Sequence, residues 1–176
     1  FATASHHPYN EFGAPAPESL YGKSKLAGEE FVRTLCHRYL IVRSAWVYGI
    51  GRDFVSTVLN SAADPTCPWL AVPTDRFASP TSADDLTAAV EQLIDHDTLG
   101  IYHIVCQGRC SRYDFAQAIL KAAHMEDKLE LHPIRAADAG STPSYTVLDN
   151  LMLRLDNLPQ PRPWKEALNE YINSLQ

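Results

Sequence analysis

The chain has 176 residues, a formal net charge of −6 at pH 7 and 45% hydrophobic residues, enough for one sizeable core or two small lobes. That charge leaves no basic stripe for nucleic acid and no polybasic membrane anchor, although a local pocket on an acidic protein can still be positive. No apolar run approaches the roughly 18 to 20 residues of a membrane span, and the start FATASHHPYNEF lacks the basic end and apolar run of a signal peptide.

Residues 1–17 are rich in Pro, Ala, His and Gly and read as a loop. Phe1 in place of Met predicts a fragment or a processed form. Pro17-Glu18-Ser19 suits a first helical turn, and the helical pattern continues to Tyr39. LIVRSAWVYG at 40–49 is β-branched and aromatic and stops at Gly49 and Gly51, which predicts one buried strand. A helix is expected over 54–63 and a short strand over 69–72. Ser82 and Asp85 have capping-box spacing, with Asp in place of the usual Glu or Gln. They open a helix over 83–96 with Leu86, Ala89, Val90, Leu93 and Ile94 on one face. A strand over 101–105 precedes a helix over 112–124, capped by Ser111, with Phe115, Ile119 and Leu120 as its apolar face. Residues 129–134 read as a strand, 136–146 as a loop and about 150–155 as a short helix; Pro163-Trp164 opens the last helix. Strands alternating with helices argue for an α/β architecture with parallel pairing.

Cys36, Cys67, Cys106 and Cys110 match no zinc signature and no secreted disulfide framework, so reduced thiols in a cytoplasmic protein are expected. The seven histidines are scattered, and no metal is assigned. One spacing carries chemistry. Tyr21 and Lys25 are four residues apart on the first predicted helix, so one face presents both, with Cβ atoms roughly 6 Å apart. A tyrosine titrates near pKa ~10, and a neighbouring ammonium favours its phenolate. Such a hydroxyl can protonate a carbonyl oxygen that receives hydride, or take the proton back. By spacing alone, the pair reads equally as a surface cation leaning on a ring.

The segment HPYNEFGAPAPESLYGKSKLAGEEFV resembles the extended short-chain dehydrogenase/reductases, in which a P-Y-x-E loop precedes Y-G-x-S-K-L-x-G-E. Within that group the chain is similar to the dTDP-4-dehydrorhamnose reductases. LIVRSAWVYGIGRDFV resembles their R-[TS]-[SA]-W-[VL]-Y strand, TDRFASPTSADDLTAAV their D-Q-x-G-x-P-T-x-A-x-D-L-A, and GIYHIVCQGRCSRYDFAQAI their G-x-Y-H-L-x-G-x-G-x-x-S-x-Y-E-F-A. SYTVLDNLMLRL and PWKEAL resemble their closing S-x-L-D-x-x-K-L and P-x-W-x-E-A-L. The motifs run in order over nearly the whole chain.

That resemblance implies the C-terminal part of a Rossmann-like parallel sheet plus a small mixed α/β substrate-binding lobe. Residues 1–66 would carry the catalytic helix with the strand and helix after it. Residues 67–176 would form mainly the lobe, with Rossmann elements returning near 82–106. It implies reduction of dTDP-4-dehydrorhamnose to dTDP-L-rhamnose by NADPH, with NADH left open. Tyr21 would be the catalytic acid–base and Lys25 its partner on the nicotinamide ribose, with Ser44 adding to the cofactor site. Trp46 would lie near the sugar, or serve as an ordinary core tryptophan. Phe54, Pro80 and Thr81 would shape the crevice, or simply pack and turn. Some relatives hold Mg²⁺ at a dimer interface; no residue here is assigned to it.

The chain also departs from the pattern. No G-x-G-x-x-G turn occurs to receive a pyrophosphate, and Phe1 aligns with the end of the S-T-D-Y-V-F stretch that carries the family's catalytic hydroxyl. Arg76 stands for the usual Gln, Ala78 for Gly, and Thr142 for an arginine. The expectation is a segment inactive alone, with an open edge at LIVRSAWV, that pairs with the missing N-terminal half or forms a homodimer. Alternatives are a non-catalytic binding subunit, like the methionine adenosyltransferase regulatory subunit that resembles the same family, and a sugar-nucleotide epimerase. R-S-A-W-V-Y-G in place of R-x-x-N-x-x-G speaks against the epimerase.

Overall fold

Ser19 fixes where the first helix starts: its hydroxyl accepts a hydrogen bond from Gly22 N–H, so α1 spans Leu20–Leu35 rather than opening at Pro17. A methyl at Gly22 would lie 2.8 Å from Pro17 Cβ; the glycine lets the incoming loop cross the first turn. The computed structural model describes residues 7–140 and 144–175. After α1 come β1 (Leu40–Arg43), β2 (Val47–Tyr48), α2 (Phe54–Ala63), β3 (Trp69–Pro73), β4 (Arg76–Ala78), β5 (Thr81–Ser82) and α3 (Ala83–Asp95). β6 (Gly100–His103), β7 (Cys110–Ser111), α4 (Arg112–Ala122), β8 (Glu130–Ile134), a 3₁₀ turn at Ala136–Ala139, β9 (Ser144–Tyr145), α5 (Leu151–Leu155) and α6 (Trp164–Ser174) follow.

Parallel pairing dominates, as the alternation of elements predicts. β1 runs beside β6 from Leu40↔Gly100 to Arg43↔His103, β2 beside β5, and β3 beside β8. β4 pairs antiparallel with β7 and parallel with β9. Two apolar clusters result. Phe115, Ile119, Trp164, Leu168 and Ile172 join α4 and α6 with Val55 and Val58 of α2. Ala89, Leu93, Tyr102, Ile104, Leu153 and Leu158 join α3, β6 and α5.

Several sequence expectations are corrected. The first helix ends at Leu35, not Tyr39, because Cys36 is extended and Tyr39 C=O must receive Gly100 N–H to begin the β1–β6 ladder. The run 40–49 is two strands rather than one: Trp46, at φ 42, turns the chain out of the β1 direction so that β2 meets β5. The 136–146 loop contains the 3₁₀ turn and β9, while β4, β5 and β7 are too short to leave a periodic signal. Ser82 caps α3 by accepting from Asp85 N–H, but the Asp85 carboxylate pairs with Arg162 at 3.0 Å instead of closing the box. Ile94 is exposed, unlike Ala89 and Leu93. Ser111 and Asp114 do form the reciprocal box at α4.

The P-Y-x-E loop is anchored at its far end. Glu11 Oε1 accepts from His103 N–H (2.9 Å) and Met152 N–H (3.1 Å), tying the loop to β6 and α5. His103 is fully buried, with Nδ1 3.0 Å from Tyr9 O. Burial pulls its imidazole below the usual 6.5; Arg43 acts the same way and Glu11 opposes it. The unfolded chain therefore takes up this proton first. Stability is complete above about pH 6.5 and falls as the pH drops through that value toward the depressed one. We expect a lower melting temperature at pH 5.5 than at pH 7.5. A His103→Gln variant with an unchanged pH dependence would assign the effect elsewhere.

By contrast, α1 has no buried residue, and Leu20 (85%), Phe31 (66%) and Leu35 (76%) lie open. β1 is half-buried throughout and has a neighbour only at β6 among the described residues. No described helix is long and apolar enough to cross a membrane.

Candidate active site

α1 presents Tyr21 with its side chain 73% exposed, and Lys25 Nζ stands 5.5 Å from the centroid of its ring. Among the described residues, neither the hydroxyl nor the ammonium has a hydrogen-bond or ion-pair partner, so both are available to a ligand. One turn beyond Lys25, Glu29 receives Arg43 in a two-point ion pair, Nε to Oε1 at 2.8 Å and Nη2 to Oε2 at 2.5 Å. Both side chains are mostly buried. This tie holds the C-terminal end of β1, where Ser44 follows, against the middle of α1. Removing one member of a buried pair strands the other charge and costs roughly 3 kcal/mol. Glu29→Ala is therefore expected to loosen α1; amide exchange over 20–35 no faster than in the unaltered chain would contradict this role.

Ser44 Oγ is buried and has no hydrogen-bond partner in the structure. Such an atom at the carboxyl end of a parallel strand suits a ligand that completes it. Ser44 follows Arg43, whose ion pair reaches Glu29, one turn beyond Lys25 on α1.

Two residues on, Trp46 holds a left-handed backbone that a bulky side chain adopts only when its surroundings impose it. Those surroundings are aromatic and cationic. Its ring stacks on Phe115 at 6.2 Å, Phe54 stacks on the same Phe115 at 5.8 Å, and Arg112 lies 3.7 Å from the Trp46 centroid and 4.4 Å from that of Phe54. Burial, and then the facing Arg76, draw the Arg112 guanidinium down to about 10. Trp46 and Phe54 are thus brought together through Phe115, the F of the S-x-Y-E-F-A pattern, and Arg112, which fills its x position.

Pro80 and Thr81 lie in the interior next to Trp46, where Thr81 N–H donates to Trp46 O at 3.3 Å. Thr81 Oγ1 donates to Ser79 O and accepts from Cys106 N–H. Ala78 is fully buried opposite Cys110, Arg76 is half-buried, and Thr142 lies outside the described residues. Burial pushes the thiols of Cys106 and Cys110 up to about 11 and about 12, far from a reactive thiolate. Among the described residues, no group of three or more His, Cys, Asp or Glu could hold a metal ion.

The family model described as "RmlD substrate binding domain" matches residues 1–176. The spore coat polysaccharide biosynthesis protein SpsK of Bacillus subtilis (strain 168) is 38% identical over 167 residues, 94% of this chain and 58% of that protein. A solved dTDP-4-dehydrorhamnose reductase from Clostridium acetobutylicum ATCC 824 is 40% identical, with a TM-score of 0.94 over 100% of this chain and 62% of that one. Another, from Bacillus anthracis str. Ames in complex with NADP, is 35% identical, with a TM-score of 0.90 over 96% of this chain and 60% of that one. The chain therefore spans 58–62% of the length of these relatives. From its motifs, its α/β fold and these matches, the chain belongs to the dTDP-4-dehydrorhamnose reductase family, as its RmlD substrate-binding part.

Proposed function

We propose that this chain carries the acid–base helix and the substrate lobe of an NADPH-dependent reductase that converts dTDP-4-dehydrorhamnose to dTDP-L-rhamnose in the cytoplasm. The observation that carries the reading is the unengaged Tyr21–Lys25 pair on one exposed face of α1. When bound, the nicotinamide cofactor supplies hydride to the carbonyl carbon. Tyr21 Oη hydrogen-bonds the carbonyl oxygen and delivers its proton as that oxygen gains charge. Lys25 stabilises the phenolate left behind and holds the ribose, while Ser44 Oγ orients the bound group. Trp46, locked by Phe115 and Arg112, offers a flat wall to the sugar. Of the residues named from sequence, Phe54 supports that wall, and Pro80 and Thr81 fix the approach of α3.

The boundary near residue 66, between the catalytic helix with its following elements and the lobe, belongs to the same reading. So does a partner for the open face: Leu20, Phe31 and Leu35, with the free edge of β1, would pack against the N-terminal half, or against a second copy. The test follows reduced-nicotinamide absorbance with the dTDP-4-keto sugar, for this chain alone and joined to an N-terminal half. Turnover only in the joined protein is expected. A joined protein that binds both ligands and never turns over removes the reductase reading in favour of a binding subunit.

A further inference from the structure

Asn150 stands at the N-cap of α5, where an asparagine ordinarily accepts from the helix's own N–H groups, yet its side chain makes no cap bond. The amide turns inward instead. It is 5% exposed, and both of its ends meet one residue: Val105 N–H donates to Oδ1 at 3.0 Å, and Nδ2 donates to Val105 O at 2.8 Å. This two-point grip imitates a strand neighbour at the place where β6 runs out. Ile104 N–H still goes to Arg43 O, so Val105 N–H is the first donor past the β1–β6 ladder. The next donor, Cys106 N–H, goes to Thr81 Oγ1 at 3.3 Å, and Thr81 N–H goes on to Trp46 O at 3.3 Å. Val105, Cys106 and Thr81 are buried, so these groups depend on one another in place of water. A continuous path thus runs from α5 to the left-handed Trp46.

We propose that Asn150 is a positioning residue for Trp46: by holding Val105 it sets Cys106, through Cys106 the place of Thr81, and through Thr81 the Trp46 backbone. Phe115 and Arg112 hold the indole, while this path holds the carbonyl. Asn150 acts through backbone groups and takes no part in the proton transfer. That the wall so placed faces a sugar rests on the reductase reading; the link between Asn150 and Trp46 does not. Asn150 and Val105 also line a small pocket shared with Arg154 and Gln160. A side chain of similar size without the amide strands both Val105 groups, whereas a smaller one lets water reach them from that pocket.

Fluorine NMR of the full chain carrying fluorotryptophan reads the link directly, with the Trp46 resonance assigned by Trp46→Phe. Asn150→Leu should displace that resonance by more than its line width and leave that of Trp69, on β3, in place. Arg154→Gln is the control: it breaks the ion pair with Asp149 beside Asn150 but spares the path, so the Trp46 resonance should stay. In the joined protein, Asn150→Leu should raise KM for the dTDP-4-keto sugar about tenfold, with kcat and KM for NADPH within about twofold, the pattern of lost uniform binding. Circular dichroism checks folding. If Asn150→Leu does not fold, Asn150→Ala carries the test, with a smaller displacement of the same resonance. An unmoved Trp46 resonance in a folded variant, an equal displacement by Arg154→Gln, or an unchanged sugar KM in an active joined protein overturns the proposal. If the joined protein never turns over while the Trp46 resonance still follows Asn150, the reductase reading falls and the positioning link stands.

Discussion

Tyr21→Phe in the joined protein is expected to lower kcat by about 10²–10⁴-fold, with little change in KM, the range for loss of a positioned general acid. The reason lies in what the substitution leaves alone. The ring, its place on α1 and the neighbouring ammonium all remain, and only the hydroxyl is lost. That hydroxyl has no partner among the described residues and lies on an open face, so folding has little to lose. A substrate that still binds but lacks its proton donor is the signature of an interaction made only in the transition state. Lys25→Met should reduce kcat as well and raise KM for the cofactor, since the ammonium would serve both. A Tyr21→Phe enzyme within a few-fold of the unaltered one would show that protonation comes from another group, and the assignment of α1 would fail with it.

Phe115→Ala is expected to destabilise the fold by about 3–5 kcal/mol, a large fraction of the ~5–15 kcal/mol that holds a domain together. Phe115 is 1% exposed and touches four other rings: Trp46, Tyr48 at 5.7 Å, Phe54, and Trp164 edge-on at 5.8 Å. Its removal leaves a cavity where α2, α4 and α6 meet, and only part of it can collapse because the strands of β3 and β8 border the same cluster. It also removes the surface that holds Trp46 in its left-handed conformation. We therefore expect a lower urea midpoint together with a weakened near-ultraviolet dichroism of the aromatic cluster. Loss of less than about 1 kcal/mol would mean that the ring is not the hub of the core.

The proximity of Tyr21 and Lys25 was legible in the sequence because a helix makes i and i+4 neighbours whatever the rest of the chain does. The same holds for the Ser111 cap and for the helices over 54–63 and 83–95, whose signals are local. The Arg112–Trp46–Phe54 stack was not legible. Arg112 and Trp46 are 66 positions apart, and only the packing of α4 against α2 brings them together. Glu29 and Arg43 could be seen as conventional charges of two separate motifs, yet their ion pair is what joins helix to strand.

The sequence by itself determined the family, the α/β alternation and the pairing of Tyr21 with Lys25 on one helix face, since each depends on residue order over short spans. The tertiary structure alone decided that the 40–49 run breaks at Trp46, and that very short strands close around α4. It also decided that Arg112 comes near Arg76 and lies against the rings of Trp46 and Phe54. Those outcomes depend on pairing partners tens of residues away. A two- or three-residue strand has too little periodicity to announce itself, and the cost of a left-handed tryptophan can be met only by the rings and the guanidinium that surround it.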